Sequence, residues 1–141
     1  MVLVAGFTVA GYRLTDKIYE DSKTIVYRGI RIEDQQPIIL KTLRAEHPSP
    51  SEIARVRHEF ELTQNLDLPS VVKVYELVEY KGLSLVLEDF GGHSIKDLTL
   101  QNQLDLETFL QIGIQLTNAL ESLHELNIIH KDIKPLNIIF N

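Results

Sequence analysis

The chain has 141 residues, of which 44% are hydrophobic, and its formal net charge is −6. The hydrophobic fraction is normal for a globular core, and the negative charge is spread without basic clusters, which argues against nucleic acid or an anionic membrane surface as a partner. The chain contains no cysteine, which excludes disulfides and thiolate metal sites.

The first part of the chain is predicted to form β-strands. The apolar stretch 2–10 is far shorter than the roughly 20 residues that span a bilayer, so we expect a leading strand there and no membrane insertion. Two β-rich runs at 12–20 and 24–32 flank the polar residues 21–23, which is typical of a hairpin. After a turn at 33–36, an apolar run ends at Lys41.

A helix follows, and its start is clearly marked. Ser49 can cap the helix, Pro50 suits its first position, and Glu52 stands three residues after the cap, which is the capping-box spacing. At about 100° per residue, Glu59 falls beside the apolar stripe of this helix, so its carboxylate can face a neighbouring strand.

The middle of the chain predicts a second hairpin and then a change to helices. Strands at 71–80 and 83–88 flank Lys81-Gly82, a pair suited to a tight turn. A short helix is predicted at 94–98, and Asp105 can cap a long helix that reaches about residue 126. The long helix carries one apolar stripe, formed by Phe109, Ile112, Leu116, Leu120 and Leu123.

The most informative motif lies near the end of the chain, where residues 130–137 are His-Lys-Asp-Ile-Lys-Pro-Leu-Asn. Within one loop, Asp132 supplies a proton acceptor, Lys134 a cation and Asn137 an amide oxygen, and phosphoryl transfer requires such groups. The motif resembles the catalytic loop of protein kinases. The lysine two residues after the aspartate is similar to the serine/threonine branch of that family.

The resemblance extends upstream in the order that the family requires. Lys41 ends an apolar strand like the family's third strand, and Glu59 stands where the family places the helix carboxylate that pairs with this lysine. Leu87 is similar to the residue at the gate of the nucleotide pocket, and residues 88–90 are similar to the hinge.

The resemblance implies an α+β, protein-kinase-like fold. Residues 1–90 would form the N-lobe and hinge, with a five-stranded antiparallel sheet and one helix. Residues 91–141 would form a partial C-lobe with a short helix, a long helix and the catalytic loop, after which it ends. A whole kinase domain is roughly twice as long, and the Asp-Phe-Gly segment that the family places after the catalytic loop is absent, since the Asp-Phe-Gly at residues 89–91 precedes that loop. We therefore expect a truncated kinase domain that is inactive by itself.

The implied activity is transfer of the γ-phosphoryl group of ATP to a serine or threonine hydroxyl of a protein substrate, and the chain is expected to be cytoplasmic. Asp132 would orient the hydroxyl, Lys134 would neutralise the moving phosphoryl group, and Asn137 would hold Mg²⁺. Lys41, steered by Glu59, would bind the α- and β-phosphates. The expected contacts with adenine come from the side chains of Ile18, Val26, Leu87 and Ile139 and from the backbone between Glu88 and Phe90.

The phosphate-binding loop departs from the family pattern. The family has Gly-x-Gly-x-x-Gly-x-Val, whereas residues 19–26 are Tyr-Glu-Asp-Ser-Lys-Thr-Ile-Val, without any of the three glycines. Glycine lets the main chain approach phosphate oxygens, and Asp21 adds negative charge near a triphosphate. Ile39 stands where the family usually has a small residue, which narrows the adenine pocket. We expect weaker nucleotide binding and an unchanged fold.

Two alternatives remain open. The first is an inactive, pseudokinase-like or truncated module that binds a partner, which the missing Asp-Phe-Gly segment favours. The second is a small-molecule phosphotransferase of the aminoglycoside type, against which Lys134 and the Lys41–Glu59 pairing argue. Residues 11–14 and 19–24 also resemble the start of large bacterial signalling proteins that begin with such a kinase and continue into further domains.

Overall fold

The computed structural model describes residues 6–64, 72–89, 91, 93–94, 105–125 and 139–140, and only the backbone of 93–94 and 139–140. The chain divides into two compact units. The first comprises residues 1–67 and 72–89, and the second comprises residues 68–71 and 90–141. Each unit is described by itself below.

Six strands form one antiparallel sheet in the first unit, in the spatial order β1-β2-β3-β4-β6-β5. They are β1 (Phe7–Val9), β2 (Tyr12–Glu20), β3 (Thr24–Arg31), β4 (Pro37–Leu43), β5 (Val74–Val78) and β6 (Ser84–Glu88). The predicted number of five strands was wrong, because β1 pairs along β2 and adds a sixth. Ala10 and Gly11 have φ angles of 47° and 87°, and this left-handed pair makes the turn tight enough for the pairing.

Both predicted hairpins are present. Residues 21–23 connect β2 to β3, as expected from the sequence. Lys81 and Gly82 have φ angles of 48° and 82° and belong to a five-residue connection, 79–83, between β5 and β6, which is longer than the predicted two-residue turn. The connection packs closely against Ile53, since a Cβ built on Gly82 would be 2.8 Å from Cγ1 of that residue.

The helix α1 (Pro50–Thr63) begins at the predicted cap. The backbone N–H of Glu52 donates to Oγ of Ser49 at 3.2 Å, and the backbone N–H of Ser49 donates to Oε1 of Glu52 at 3.1 Å. This reciprocal capping box satisfies two amide donors that would otherwise lack helical partners. The helix packs against β5 and β6.

The hydrophobic core lies on one face of the sheet. Along β4, Ile38, Leu40 and Thr42 are buried, whereas Ile39 and Lys41 on the other face are only partly buried. The buried cluster is formed by Val9, Tyr12, Leu14, Ile38, Leu40, Val78 and Val86. The hydroxyl groups of Thr42 and Ser84, both buried, satisfy each other at 2.8 Å.

The second unit contains the long helix α2 (Leu106–Glu125) and a two-stranded ribbon formed by β7 (His93–Ser94) and β8 (Ile139–Phe140). Asp105 caps α2, because its Oδ1 accepts from the backbone N–H of Thr108 at 2.7 Å. On the predicted apolar stripe, Ile112 and Leu123 are buried but Phe109 is 59% exposed.

The helix predicted at 94–98 lies only partly within the described residues. Of the helix predicted at 94–98, Ser94 belongs to β7, and residues 95–98 lie outside the described residues. Across the described part of the chain, no helix is both long and apolar enough to cross a membrane.

Candidate functional site

The ammonium group of Lys41 and the carboxylate of Glu59 meet in the first unit. Nζ of Lys41 on β4 lies 3.4 Å from Oε1 of Glu59 in the third turn of α1. This is longer than the about 2.7–2.9 Å of a tight charge-assisted hydrogen bond. The two side chains are 28% and 44% exposed, so water screens the pair and its contribution to stability is at most about 1 kcal/mol.

Aliphatic side chains surround Lys41 on the same face of the sheet. Directly paired residues of an antiparallel sheet share a face. The register pairs Val26 with Lys41 and Ile39 with Leu87. All four side chains are partly buried. The site face therefore offers a cation beside an apolar surface, and this combination fits the phosphates and the base of a nucleotide.

Ile18 and Glu88 do not belong to this paired set, since Glu88 pairs with Ile38 of the core face. Ile18 falls at a register irregularity between Lys17 and Tyr19 and is 37% exposed. The backbone N–H of Glu88 donates to the carbonyl of Lys73 at 2.9 Å. That donor is used within the first unit, so an adenine edge would have to be bound by other backbone groups of residues 88–90.

An ion pair that the sequence analysis missed ties β3 to the end of β6. Nε of Arg28 lies 2.7 Å from Oδ2 of Asp89, and Nη2 of Arg28 lies 3.5 Å from Oδ1. The carboxylate side chain is only 8% exposed. Arg28 stands two residues after Val26 and opposite Ile39, so it belongs to the site face. The alternation of side chains along β3 places Arg28 on the same face as Val26, but nothing in the sequence links Arg28 to Asp89, which is 61 positions away.

The loop in place of the glycine-rich loop is closed by one carboxylate. Oδ1 of Asp21 accepts from the backbone N–H groups of Lys23 and Thr24, each at 2.8 Å. Oδ2 accepts from the hydroxyl of Tyr19 at 2.9 Å. Burial raises the pKa of the Tyr19 hydroxyl, and the hydrogen bond to Asp21 raises it further. Among the described residues, positive φ outside glycine occurs only at Ala10, Gln35 and Lys81, so this loop closes without the left-handed angles that favour glycine.

Arg44 fastens the same loop to the end of β4. Its backbone N–H donates to the carbonyl of Lys23 at 2.9 Å, and its Nη1 donates to the carbonyl of Asp21 at 3.2 Å. Its Nε also lies 3.2 Å from Oε1 of Glu20. The hydrogen bond from Lys17 lowers the pKa of the Glu20 carboxyl. The loop is therefore held from both sides.

The remaining predicted site residues belong to the second unit. Phe90, Asp132, Lys134 and Asn137 lie outside the described residues. Ile139 is described through its backbone, which pairs with Ser94 in the ribbon. The described residues contain no group of three or more His, Asp or Glu side chains that could hold a metal ion.

Comparison with known proteins identifies the class. The family model of the protein kinase domain matches residues 12–141. The chain therefore belongs to the protein kinase family, in agreement with the sequence analysis.

Individual relatives agree with this assignment. The chain is 30% identical over 131 residues to a probable serine/threonine-protein kinase, CPE1738, of Clostridium perfringens, covering 91% of this chain and 19% of that protein. It is 29% identical over 143 residues to the serine/threonine-protein kinase PrkC of Bacillus subtilis, covering 99% of this chain and 22% of that protein. The chain thus spans about a fifth of the length of these curated relatives.

The fold is shared with solved kinase domains. The crystal structure of the Mycobacterium tuberculosis PknI kinase domain matches with a TM-score of 0.76 at 22% identity, covering 98% of this chain and 57% of that one. The apo form of PpkA-294 matches with a TM-score of 0.74 at 20% identity, covering 96% of this chain and 56% of that one. These matches confirm the protein-kinase-like fold.

Proposed function

We propose that the chain is the nucleotide-binding part of a serine/threonine protein kinase domain, in which ATP donates its γ-phosphoryl group to a protein hydroxyl. The observation that carries the proposal is the Lys41–Glu59 contact, which holds a cation over an apolar face of the sheet. In this assignment Glu59 orients Lys41, and Lys41 binds the α- and β-phosphates.

The adenine ring would lie on the aliphatic part of the same face. Val26, Ile18 and Leu87 supply the apolar contacts from the first unit, with Ile139 on the opposite side of the ring. Backbone groups of residues 88–90 would bind the adenine edge. The contact between Arg28 and Asp89 holds the beginning of this segment against β3.

The transfer step is assigned to the motif at residues 130–137. Asp132 accepts or orients the proton of the substrate hydroxyl, and Lys134 neutralises charge on the transferred group. Asn137 would hold Mg²⁺, which when bound neutralises charge on the phosphate oxygens. We also propose that the chain acts in cytoplasmic signal transduction and is joined to further domains of a longer protein.

The test of the nucleotide site is calorimetric titration of the chain with Mg-ATP. Lys41→Met should weaken binding by about tenfold or more, since a hydrogen bond to a charged group contributes about 1.5–3 kcal/mol. Lys73→Met is the matched control, because this lysine is exposed and its hydrogen bonds to Glu88 are made by its backbone, and we expect its affinity to equal that of the unchanged chain. Equal affinities for Lys41→Met and the unchanged chain would contradict the proposal.

A second candidate function is nucleotide binding without transfer, and the glycine-free loop favours it. Titration with ATP in the presence of EDTA separates the two. Binding that survives removal of Mg²⁺ but is lost in Lys41→Ala would support a nucleotide-binding pseudokinase. The alternative of a small-molecule phosphotransferase receives no support from the relatives, since those described above are named as serine/threonine-protein kinases.

A further inference from the structure

The carboxylate of Asp21 accepts hydrogen bonds from backbone amides in the loop that, in the family, binds phosphate. In the family pattern, Asp21 stands at the second glycine and Thr24 at the third. The amide groups that follow the second glycine are the ones that a phosphate oxygen would approach. Here the amides of Lys23 and Thr24 both donate to one oxygen of Asp21.

The loop's hydrogen bonds show that this carboxylate replaces a backbone acceptor as well. The backbone N–H of Asp21 donates to the carbonyl of Thr24 at 2.9 Å. In a regular antiparallel pair, the N–H of Thr24 would donate back to the carbonyl of Asp21. Here it donates to the side chain of Asp21 instead, and the carbonyl of Asp21 accepts from Arg44. The side chain of Asp21 thus accepts from two backbone amides and from the hydroxyl of Tyr19, and Arg44 binds the main-chain carbonyl of the same residue.

We propose that the Asp21 carboxylate acts as an internal substitute for a nucleotide phosphate, so that the phosphates of a bound nucleotide add less affinity than they would if these amides were free. The inference rests on the proposed nucleotide site. Two effects work in the same direction: the amides of residues 23 and 24 already have an anionic acceptor, and a fixed negative charge at this position repels an incoming phosphate. Removing the side chain frees the donors and removes the charge.

The test compares the affinities of adenosine and Mg-ADP in the 141-residue chain. The measured quantity is the dissociation constant of adenosine divided by that of Mg-ADP, a ratio that rises as the phosphates contribute more affinity. Asp21→Gly should raise this ratio by about tenfold or more, a change equivalent to about 1.4 kcal/mol. Ser22→Ala is the matched control in the same loop, since Ser22 is exposed, and it should leave the ratio unchanged.

Asp21→Asn separates the two effects and protects the test against misfolding of the glycine variant. Asparagine keeps an oxygen that can accept from both amides but lacks the charge, so its ratio should rise less than that of Asp21→Gly. An unchanged ratio in Asp21→Gly would overturn the inference, and so would an equal rise in both variants, because occupation of the amides would then have no effect.

The outcome also distinguishes this inference from the proposed function. If adenosine binds and Lys41→Met weakens Mg-ADP while Asp21→Gly changes nothing, the nucleotide site stands and the role of Asp21 fails. If neither adenosine nor Mg-ADP binds to the chain or to any variant, the proposed nucleotide site fails and takes the inference with it.

Discussion

Gly29 lies in the middle of β3, where the backbones of two strands come unusually close. A Cβ built at this position would collide with the carbonyl oxygen of Arg13 and would lie 3.0 Å from Cα of Leu14. The pairing of β2 with β3 shifts register between Leu14 and Asp16, and this irregularity accompanies the close approach. The neighbouring atoms belong to the backbone, so they cannot move aside as a flexible side chain would.

We predict that Gly29→Ala lowers the free energy of unfolding by about 2–3 kcal/mol, the upper part of the range for overpacked positions. Gly113→Ala is the matched control, because Gly113 lies in α2 and, apart from the adjoining helix backbone, no atom of the described residues is within 4 Å of an added Cβ. It should instead stabilise the chain by about 0.5–1 kcal/mol through helix propensity. Urea denaturation followed by circular dichroism measures both, and equal effects of the two variants would contradict the prediction.

The contacts of single residues differ in how far a sequence can predict them. Lys41 and Glu59 could be matched because each stands at a fixed place in an ordered set of motifs. The contact of Arg28 with Asp89 could not, because Arg28 belongs to no motif, Asp89 was matched only through the hinge backbone, and the contact depends on which strands become neighbours. Asp21 was recognised by its charge alone. Its contacts to two amides are typical of aspartate in turns, but the sequence does not state which donors it takes.

At the scale of elements, the start of α1 was predicted accurately because its signal is local. Ser49, Pro50 and Glu52 are close in sequence, and their chemistry requires no distant partner. The additional strand β1 was not counted in the sheet because its pairing depends on Ala10 adopting a φ of 47°. A non-glycine residue rarely takes that angle, so pattern analysis gives no warning of it.

We predict that Ser49→Ala lowers the stability of the chain by about 1 kcal/mol, the usual effect of removing a helix cap. The variant loses the bond to the N–H of Glu52. Ser51→Ala is the control within the first turn, because it leaves both bonds of the capping box in place, and it should change stability by less than about 0.5 kcal/mol. Thermal melting checks the pair. A loss in Ser51→Ala as large as in Ser49→Ala would show that the cap has no special effect.

At the scale of the whole molecule, carboxyl groups at turns and helix caps link stability to pH. Hydrogen bonds from backbone amides lower the pKa of Asp34, Glu52 and Asp105, with Gln36, Ser49 and Thr108 as the respective donors. Folding therefore favours the ionised form of each group. The resulting stabilisation is fully present above the ordinary pKa values, 4.5 for Glu and 3.8 for Asp, and is lost as the pH falls through the lower values of the folded chain.

We predict that the urea midpoint is constant from neutral pH down to about 5 and then falls as the solution is acidified further. The double variant Glu52→Gln with Asp105→Asn keeps side chains that can cap a helix but cannot titrate. Its midpoint should fall less steeply over the same range. Denaturation curves recorded between pH 7 and pH 3 test this, and identical slopes for the variant and the unchanged chain would refute the assignment to these two caps.

The sequence predicted the kinase fold because motifs and hydrophobic patterns agree along the whole chain. It gave the wrong strand number and missed the ion pair at the end of β6, since both depend on which segments become neighbours in space. The roles of Asp132, Lys134 and Asn137 stay predictions, because these residues lie outside the described part of the chain.

The close contact between Gly82 and Ile53 has a mechanical consequence for the lysine partner. The turn between β5 and β6 lies against the beginning of α1, so a side chain at position 82 would press on the helix at Ile53. Glu59 stands six residues further along, which is about 9 Å at 1.5 Å per residue. Over that lever arm, a swing of the helix by about 10° displaces the carboxylate by about 1.6 Å. Because the contact with Lys41 is already 3.4 Å long, a displacement of this size away from the lysine would break it.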